Sequence, residues 1–145
     1  MQVMRRFVFA ALSVLALAGC SHPAPPQGRW EGTYESDDTM LAARLEIEPD
    51  GQVRVSAPDL LDVGPDDRDA ARERLASDLA AAWDQVAPRK MDFDGETFRK
   101  PGGIAPQMVW KAKAKQMFLV VYIGTRPSFQ IALHQVGDFS ENPFS

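Results

Sequence analysis

The chain of 145 residues holds a single cysteine, Cys20, so no disulfide forms within it and cysteine pairs for metal or redox chemistry are excluded. It has only two histidines, His22 and His134. There is no Gly-x-Ser-x-Gly elbow, no His-Glu-x-x-His pair and no phosphate-cradling glycine loop. The hydrolase, zinc-protease and nucleotide-binding patterns that spacing alone reveals are therefore missing. A membrane-spanning helix needs about 20 consecutive apolar residues. The longest apolar stretch, residues 7–19, is shorter and is interrupted by Ser13. Positive charge is not in excess either. A formal net charge of −4 argues against a general nucleic-acid binder, which carries a basic surface.

What is present begins at the N-terminus. Arg5 and Arg6 precede the apolar run, which closes on the small residues Ala18 and Gly19. A charged start, a short apolar core and a small-residue cleavage site make a secretory signal. Leu17-Ala18-Gly19-Cys20 matches a lipobox at every position, and here the chain resembles a bacterial lipoprotein precursor. The resemblance implies cleavage before Cys20, a diacylglycerol thioether on its sulfur and a fatty acid such as palmitate on its amino group. The membrane then becomes a partner through Cys20. Each buried CH₂ contributes about 0.8 kcal/mol to such anchoring, so several acyl chains hold where one is marginal. Ser21, standing where Gram-negative lipoproteins retained in the inner membrane tend to carry Asp, implies the outer membrane, facing the periplasm. Losing residues 1–19 removes two arginines and takes the charge from −4 to −6. With Cys20 lipidated, no thiol is left for catalysis.

Three segments follow: a signal peptide over 1–19, a lipidated cysteine and tether over 20–27, and one globular domain over 28–145. The tether carries Pro23, Pro25 and Pro26 beside His22. Proline at this density favours polyproline II, giving an extended spacer of about 20 Å that would hold the domain off the bilayer. His22 is read as solvated.

Alternation by two marks most of the domain. Trp30, Gly32 and Tyr34 share one face of a first strand. Leu41, Ala43, Leu45 and Ile47 line a half-buried second strand with Ala42, Arg44, Glu46 and Glu48 outward. Pro49-Asp50-Gly51 turns the chain, since proline presets φ and glycine accepts a left-handed conformation. Val53, Val55 and Ala57 then face inward. Residues 58–65 read as a connection. Over 66–86 the period changes to about 3.6, with Ala71, Leu75, Leu79, Ala82, Trp83 and Val86 on one stripe. Asp66, Asp67 and Asp69 favour the positive end of that helix. Pro88 stops it, and Arg89 and Lys90 lie just past its negative end. Short strands resume with a two-residue turn at Asp94-Gly95. A strand bearing Met108 and Trp110 follows, then a continuous apolar run over 117–123, which implies a central strand covered on both faces. The last strand places Phe129, Ile131 and Leu133 inward. Residues 140–145 are expected to fray.

The pattern predicts an α+β domain, a curled antiparallel sheet or partly open barrel of about eight strands with one long helix inserted between strands three and four. The helix is expected to sit against the open side or plug one end. Gly28-Arg29-Trp30 resembles the Gly-x-Trp first strand of lipocalins, which implies a tryptophan packed at a closed barrel end. The helix departs from that family, whose main helix follows the last strand.

Candidate chemistry is sparse. His134 has Asp138 and Glu141 near it in sequence. Asp92, Asp94 and Glu96 alternate faintly like a calcium loop but lack its distal glutamate, and read as a solvated hairpin tip. No metal or other cofactor is expected, and no enzymatic activity. Lys111, Lys113 and Lys115 alternate on a strand and its turn, with Arg99, Lys100 and Arg126 as neighbours. They form a candidate contact for anionic lipid or an acidic envelope protein, or else guard a strand edge against aggregation. Trp30, Tyr34, Trp83, Trp110 and Phe118 are the candidate lining for a small apolar ligand. The leading reading is a lipid-anchored envelope lipoprotein with a non-enzymatic binding or structural role, and the second is a lipocalin-like carrier.

Overall fold

The computed structural model describes residues 23–145. Cys20, His22 and the signal segment lie outside the described residues. Nine antiparallel strands and one helix follow in chain order: β1 (Gly28–Glu35), β2 (Thr39–Ile47), β3 (Val53–Ser56), β4 (Asp59–Leu61), α1 (Arg68–Trp83), β5 (Asp92–Phe93), β6 (Thr97–Arg99), β7 (Pro106–Lys111), β8 (Gln116–Ile123) and β9 (Arg126–Val136). The eight expected strands are all present. The ninth, β4, lies in the stretch read as a connection and pairs with β2 through Leu41↔Asp59, Met40↔Leu60 and Thr39↔Leu61. The helix therefore enters between the fourth and fifth strands.

Strand order is β3-β2-β1-β9-β8-β7-β6-β5. The first and last strands pair, Arg29 with Val136 and Glu31 with His134, so the sheet curls as a barrel does. It stays open between β3 and β5 except at one bridge. There Val53 N–H donates to Arg89 O at 2.9 Å and Arg89 N–H returns to Val53 O at 3.0 Å. Inside the curl Trp30, Leu41, Leu45, Ile47, Phe98, Met108, Met117, Ile131 and Leu133 form one core from both walls.

The helix packs outside this curl, not in its mouth. β2 is buried on both faces: Leu41, Ala43, Leu45 and Ile47 point inward, while Met40 and Ala42 meet Ala71, Leu75 and Leu79 of α1. Alanine at 42 and 71 lets helix and sheet approach closely. Arg54 of β3 terminates the helix. Its guanidinium donates to Trp83 O at 2.9 Å and Val86 O at 3.0 Å and lies 4.3 Å from the Trp83 ring centroid. The cation that answers the unpaired C-terminal carbonyls thus comes from a strand rather than from Arg89 or Lys90. At the other end Arg72 pairs with Glu35 of β1 at 2.7 Å.

Further departures from the sequence reading have simple causes. Residues 140–145 are docked, with Phe144 against the helix cluster. Ala57 lies past the end of β3 and is exposed. The β5–β6 turn spans three residues, with Gly95 at φ 102°. β8 is covered on its outer face only in part: Met117 and Leu119 are buried within and Val120 is buried outside, but Phe118 is half-buried outside and Ile123 at the strand end is 70% exposed.

Gly32 marks the tightest approach of the ring. A Cβ there would lie 2.4 Å from Ala132 O and 2.9 Å from a Leu133 methyl. Backbone cannot yield as a flexible side-chain tip does. Gly32→Ala is expected to destabilise the fold by about 1–3 kcal/mol, read as a lower denaturation midpoint. An unchanged midpoint would show that β1 and β9 do not close the curl at this position.

Candidate functional site

Three places gather the chemistry-bearing side chains. The first is a clasp on the outer face of β1 and β2. Glu31 and Arg44 are cross-strand partners, 4% and 6% exposed. Each holds the C-terminal segment. Glu31 accepts from Ser140 Oγ at 2.8 Å and Ser140 N at 3.2 Å, and Arg44 Nη2 donates to Ser140 O at 2.7 Å. Phe139 fills the space beside them. Its ring meets Trp83 edge-on at 4.9 Å, and the Arg44 guanidinium lies 5.0 Å from its centroid. His134 is 3.9 Å from Glu31, and is not paired with Asp138 or Glu141. Serine and histidine thus meet the same carboxylate separately. A nucleophilic triad instead places histidine between serine and carboxylate, an order these three residues do not have.

The second place is a network where the tether enters. Glu46 bridges Arg29 at 2.6 Å and Arg54 at 3.3 Å, tying β1 to β3 across β2. Burial opposes ionisation of Glu46, but hydrogen bonds and charge from Arg29 and then Arg54 outweigh it and hold the carboxyl below its ordinary value. Glu35 is likewise lowered, chiefly by its hydrogen bond from Arg72. In the β5–β6 turn the Thr97 N–H, then Arg99 and the Glu96 N–H, hold Asp94 well below the usual carboxylate range. Asp92 accepts from Gly102 N, and Glu96 pairs with Lys111. The three carboxylates of the hairpin tip are thus each engaged separately. Among the described residues no group of three potential metal ligands converges.

The third place is the interior. Trp30 and Trp110 meet edge-to-face at 6.1 Å, and Tyr34 stacks on Phe129 at 4.2 Å. The five aromatics read as one lining divide. Trp30, Tyr34 and Trp110 pack in or against the interior core, Trp83 sits between helix and clasp, and Phe118 lies on the outer face of β8. The basic stripe divides as well. Lys111 ends β7, while Lys113 and Lys115 occupy the β7–β8 turn, Lys115 at φ 50°. Lys100 and Arg126 lie in or beside turns at the opposite end of the sheet, and Arg99 pairs with Asp94 at 2.7 Å.

The tether does not stand free. A Cβ on Gly51 would sit 3.4 Å from Pro25, and one on Gly95 3.3 Å from Pro23. The prolines lie across the β2–β3 and β5–β6 turns, bordering a cleft of about 480 Å³ lined by Met91, Phe93 and Phe98. A second cleft of about 480 Å³ beside it is lined by Gly95, Trp110, Lys111 and Lys113. Among the described residues no helix is long and apolar enough to cross a membrane.

Residues 4–21 match the model of the prokaryotic membrane lipoprotein lipid attachment site. The chain is a bacterial lipoprotein precursor, anchored in the cell envelope by lipid on the cysteine of that segment. No curated protein and no solved structure matches the chain, so the likeness to lipocalins finds no support.

The sequence reading missed the clasp. Its one signal was that Glu31 and Arg44 fall opposite each other once the first hairpin is drawn. Their charge gave them to solvent, and Ser140 is too far along the chain to announce itself. The Glu46 network yields a pH prediction. Because its carboxyl is lowered in the folded state, its stabilising contribution is full above the unfolded pKa of about 4.3 and is lost as pH falls through the folded value. Glu46→Gln is expected to cost about 1–3 kcal/mol at neutral pH and to reduce the fall in urea midpoint below pH 4. An acid slope equal to wild type would place the acid sensitivity elsewhere.

Proposed function

We propose that the mature chain is a non-enzymatic binding or structural domain of the outer membrane, facing the periplasm. The observation that supports this most is the chemistry of its buried charges. Glu31 and Arg44 hold the C-terminal segment, and Glu46 and Arg54 hold the second hairpin and the helix end. Polar groups converging on a cavity are the usual mark of a catalytic or ligand site. Here the buried charges are engaged in fastening one segment to another, even where Arg44 borders a cleft of about 570 Å³ beside Ser140 and Glu46 one of about 460 Å³ beside Arg29. Ser21 supports the outer membrane. Cys20→Ser is expected to abolish fatty-acid labelling and move the protein from the outer-membrane to the soluble fraction on density-gradient separation. Equal labelling of both proteins, or wild type in the inner membrane, would refute this placement.

One observation favours the carrier as second reading. Trp30 Nε1 is buried in the apolar interior with no hydrogen-bond partner among the described residues. An orphaned donor costs about 1–3 kcal/mol, and a ligand acceptor would relieve it. Against this, Trp30 shares its core with the buried Met108, Met117 and Leu133, and Trp110 meets its ring edge-to-face. The soluble chain over residues 23–145 is therefore expected to carry no stoichiometric lipid in native mass spectrometry. Near one-to-one occupancy would promote the carrier.

A further inference from the structure

Charge is segregated along this chain. Residues 97–137 contain Arg99, Lys100, Lys111, Lys113, Lys115 and Arg126 and no Asp or Glu. Residues 28–96 contain eighteen carboxylates against eight Lys and Arg. The fold turns this into geometry, because the acid-free stretch is β6 to β9, which are contiguous in the sheet. One wall of the barrel is basic. Across the core, residues 28–91 carry fifteen carboxylates against eight Lys and Arg, an excess that lies in the strands and turns, since the helix packed there has three Asp or Glu and three Arg. Arg99 and Lys111 are paired with carboxylates of the β5–β6 turn. Lys100, Lys113, Lys115 and Arg126 form no ion pair among the described residues.

The basic wall is also apolar at its centre. Val109, Phe118 and Ala132 are cross-strand neighbours on the outer face of β7, β8 and β9, where no helix covers them. Ile104 in the β6–β7 loop and Ile123 at the end of β8, 91% and 70% exposed, lie at its far end. Cations at both ends with aliphatic and aromatic groups between suit a surface that is anionic and has an apolar layer beneath.

The anchor brings such a surface within reach. Pro23 lies against Gly95, whose turn borders the same cleft as Lys111 and Lys113. Only three residue steps separate Pro23 from Cys20. At no more than about 3.3–3.6 Å per step, three steps reach at most about 10 Å, close to one Debye length at physiological salt.

We propose that the β7–β8–β9 wall lies side-on against the anionic membrane that holds the anchor. Lys113 and Lys115 sit on headgroup phosphates beside Cys20, Lys100 and Arg126 do so at the far end, and Phe118 faces the acyl boundary between them. The acidic wall across the core then points away from the bilayer. This goes beyond membrane attachment, which Cys20 provides whatever the orientation.

The test uses the full acylated protein in vesicles of phosphatidylcholine alone and of phosphatidylcholine mixed equally with phosphatidylglycerol. Acetylation rates are read at Lys100, Lys113 and Lys115. Each cation at an anionic surface contributes about fivefold to association. Lys100, Lys113 and Lys115 are expected to slow by about fivefold or more in the anionic vesicles relative to the neutral ones, with the protection lost at high salt. A second readout needs no charge change. With Cys20 acylated, Ala132→Cys supplies the only free thiol, and an environment-sensitive dye on it should shift to the blue in anionic vesicles alone. Equal rates in both vesicles overturn the proposal. So does protection confined to Lys113 and Lys115, which would mean an end-on stance. Protection that tracks protein density and not lipid charge also overturns it, in favour of basic wall meeting acidic wall between copies.

Discussion

The structure depends on β2 being buried on both faces. Leu41, Ala43, Leu45 and Ile47 build the interior, and Met40, Ala42 and Arg44 build the seam under the helix and the C-terminal segment. An antiparallel sheet can leave one face wet, and β7 to β9 do so. β2 cannot, because α1 has no other surface to cover its stripe. Once β2 is fixed as the strand shared by two layers, the remaining contacts follow. β4 extends it, Arg54 reaches from β3 to the end of the helix, and residues 139–144 close the space between helix and sheet.

Much of the architecture was legible because period carries it. The change from two to about 3.6 at residue 66 locates the helix, and Pro49-Asp50-Gly51 locates the first tight turn. What period could not carry was the outer layer. Ala42 and Arg44 alternate with Leu41, Ala43 and Leu45 in a pattern that reads as solvent-facing. A small residue is neutral between water and a helix. An arginine is read as wet unless its partner is known, and its partner is Ser140, 96 residues on. The same limit applies to β4, since Asp59-Leu60-Leu61 is too short to show a period, and to the C-terminal segment, where Phe139 and Phe144 dock singly.

The candidate sites were legible to different depths. The lipidated cysteine was fully legible, because cleavage and acylation are specified by contiguous residues. The five aromatics were legible as residues to be sheltered, but not as one cavity, because alternation assigns a face only relative to its own strand. Phe118 and Trp110 lie on adjacent paired strands yet on opposite faces. The lysines carried a signal of another kind. Three at alternate positions suggested a stripe, whereas the β7–β8 turn interrupts it and only Lys111 stays on the strand. The broader signal was the lack of carboxylates over residues 97–137, which acquires meaning only when the sheet order makes that stretch one wall.

The tether alters what the anchor can do. A free polyproline spacer would let the domain tumble at about 20 Å from the bilayer, where salt screens most of its field. Pro23 and Pro25 instead lie along the β5–β6 and β2–β3 turns, so the chain leaves the domain at a defined point on one end of the sheet. In the orientation proposed above, a charge difference between two walls acts as a torque towards an anionic surface. The domain's modest overall charge conceals this, because the quantity that orients a tethered body is the separation of its charges and not their sum.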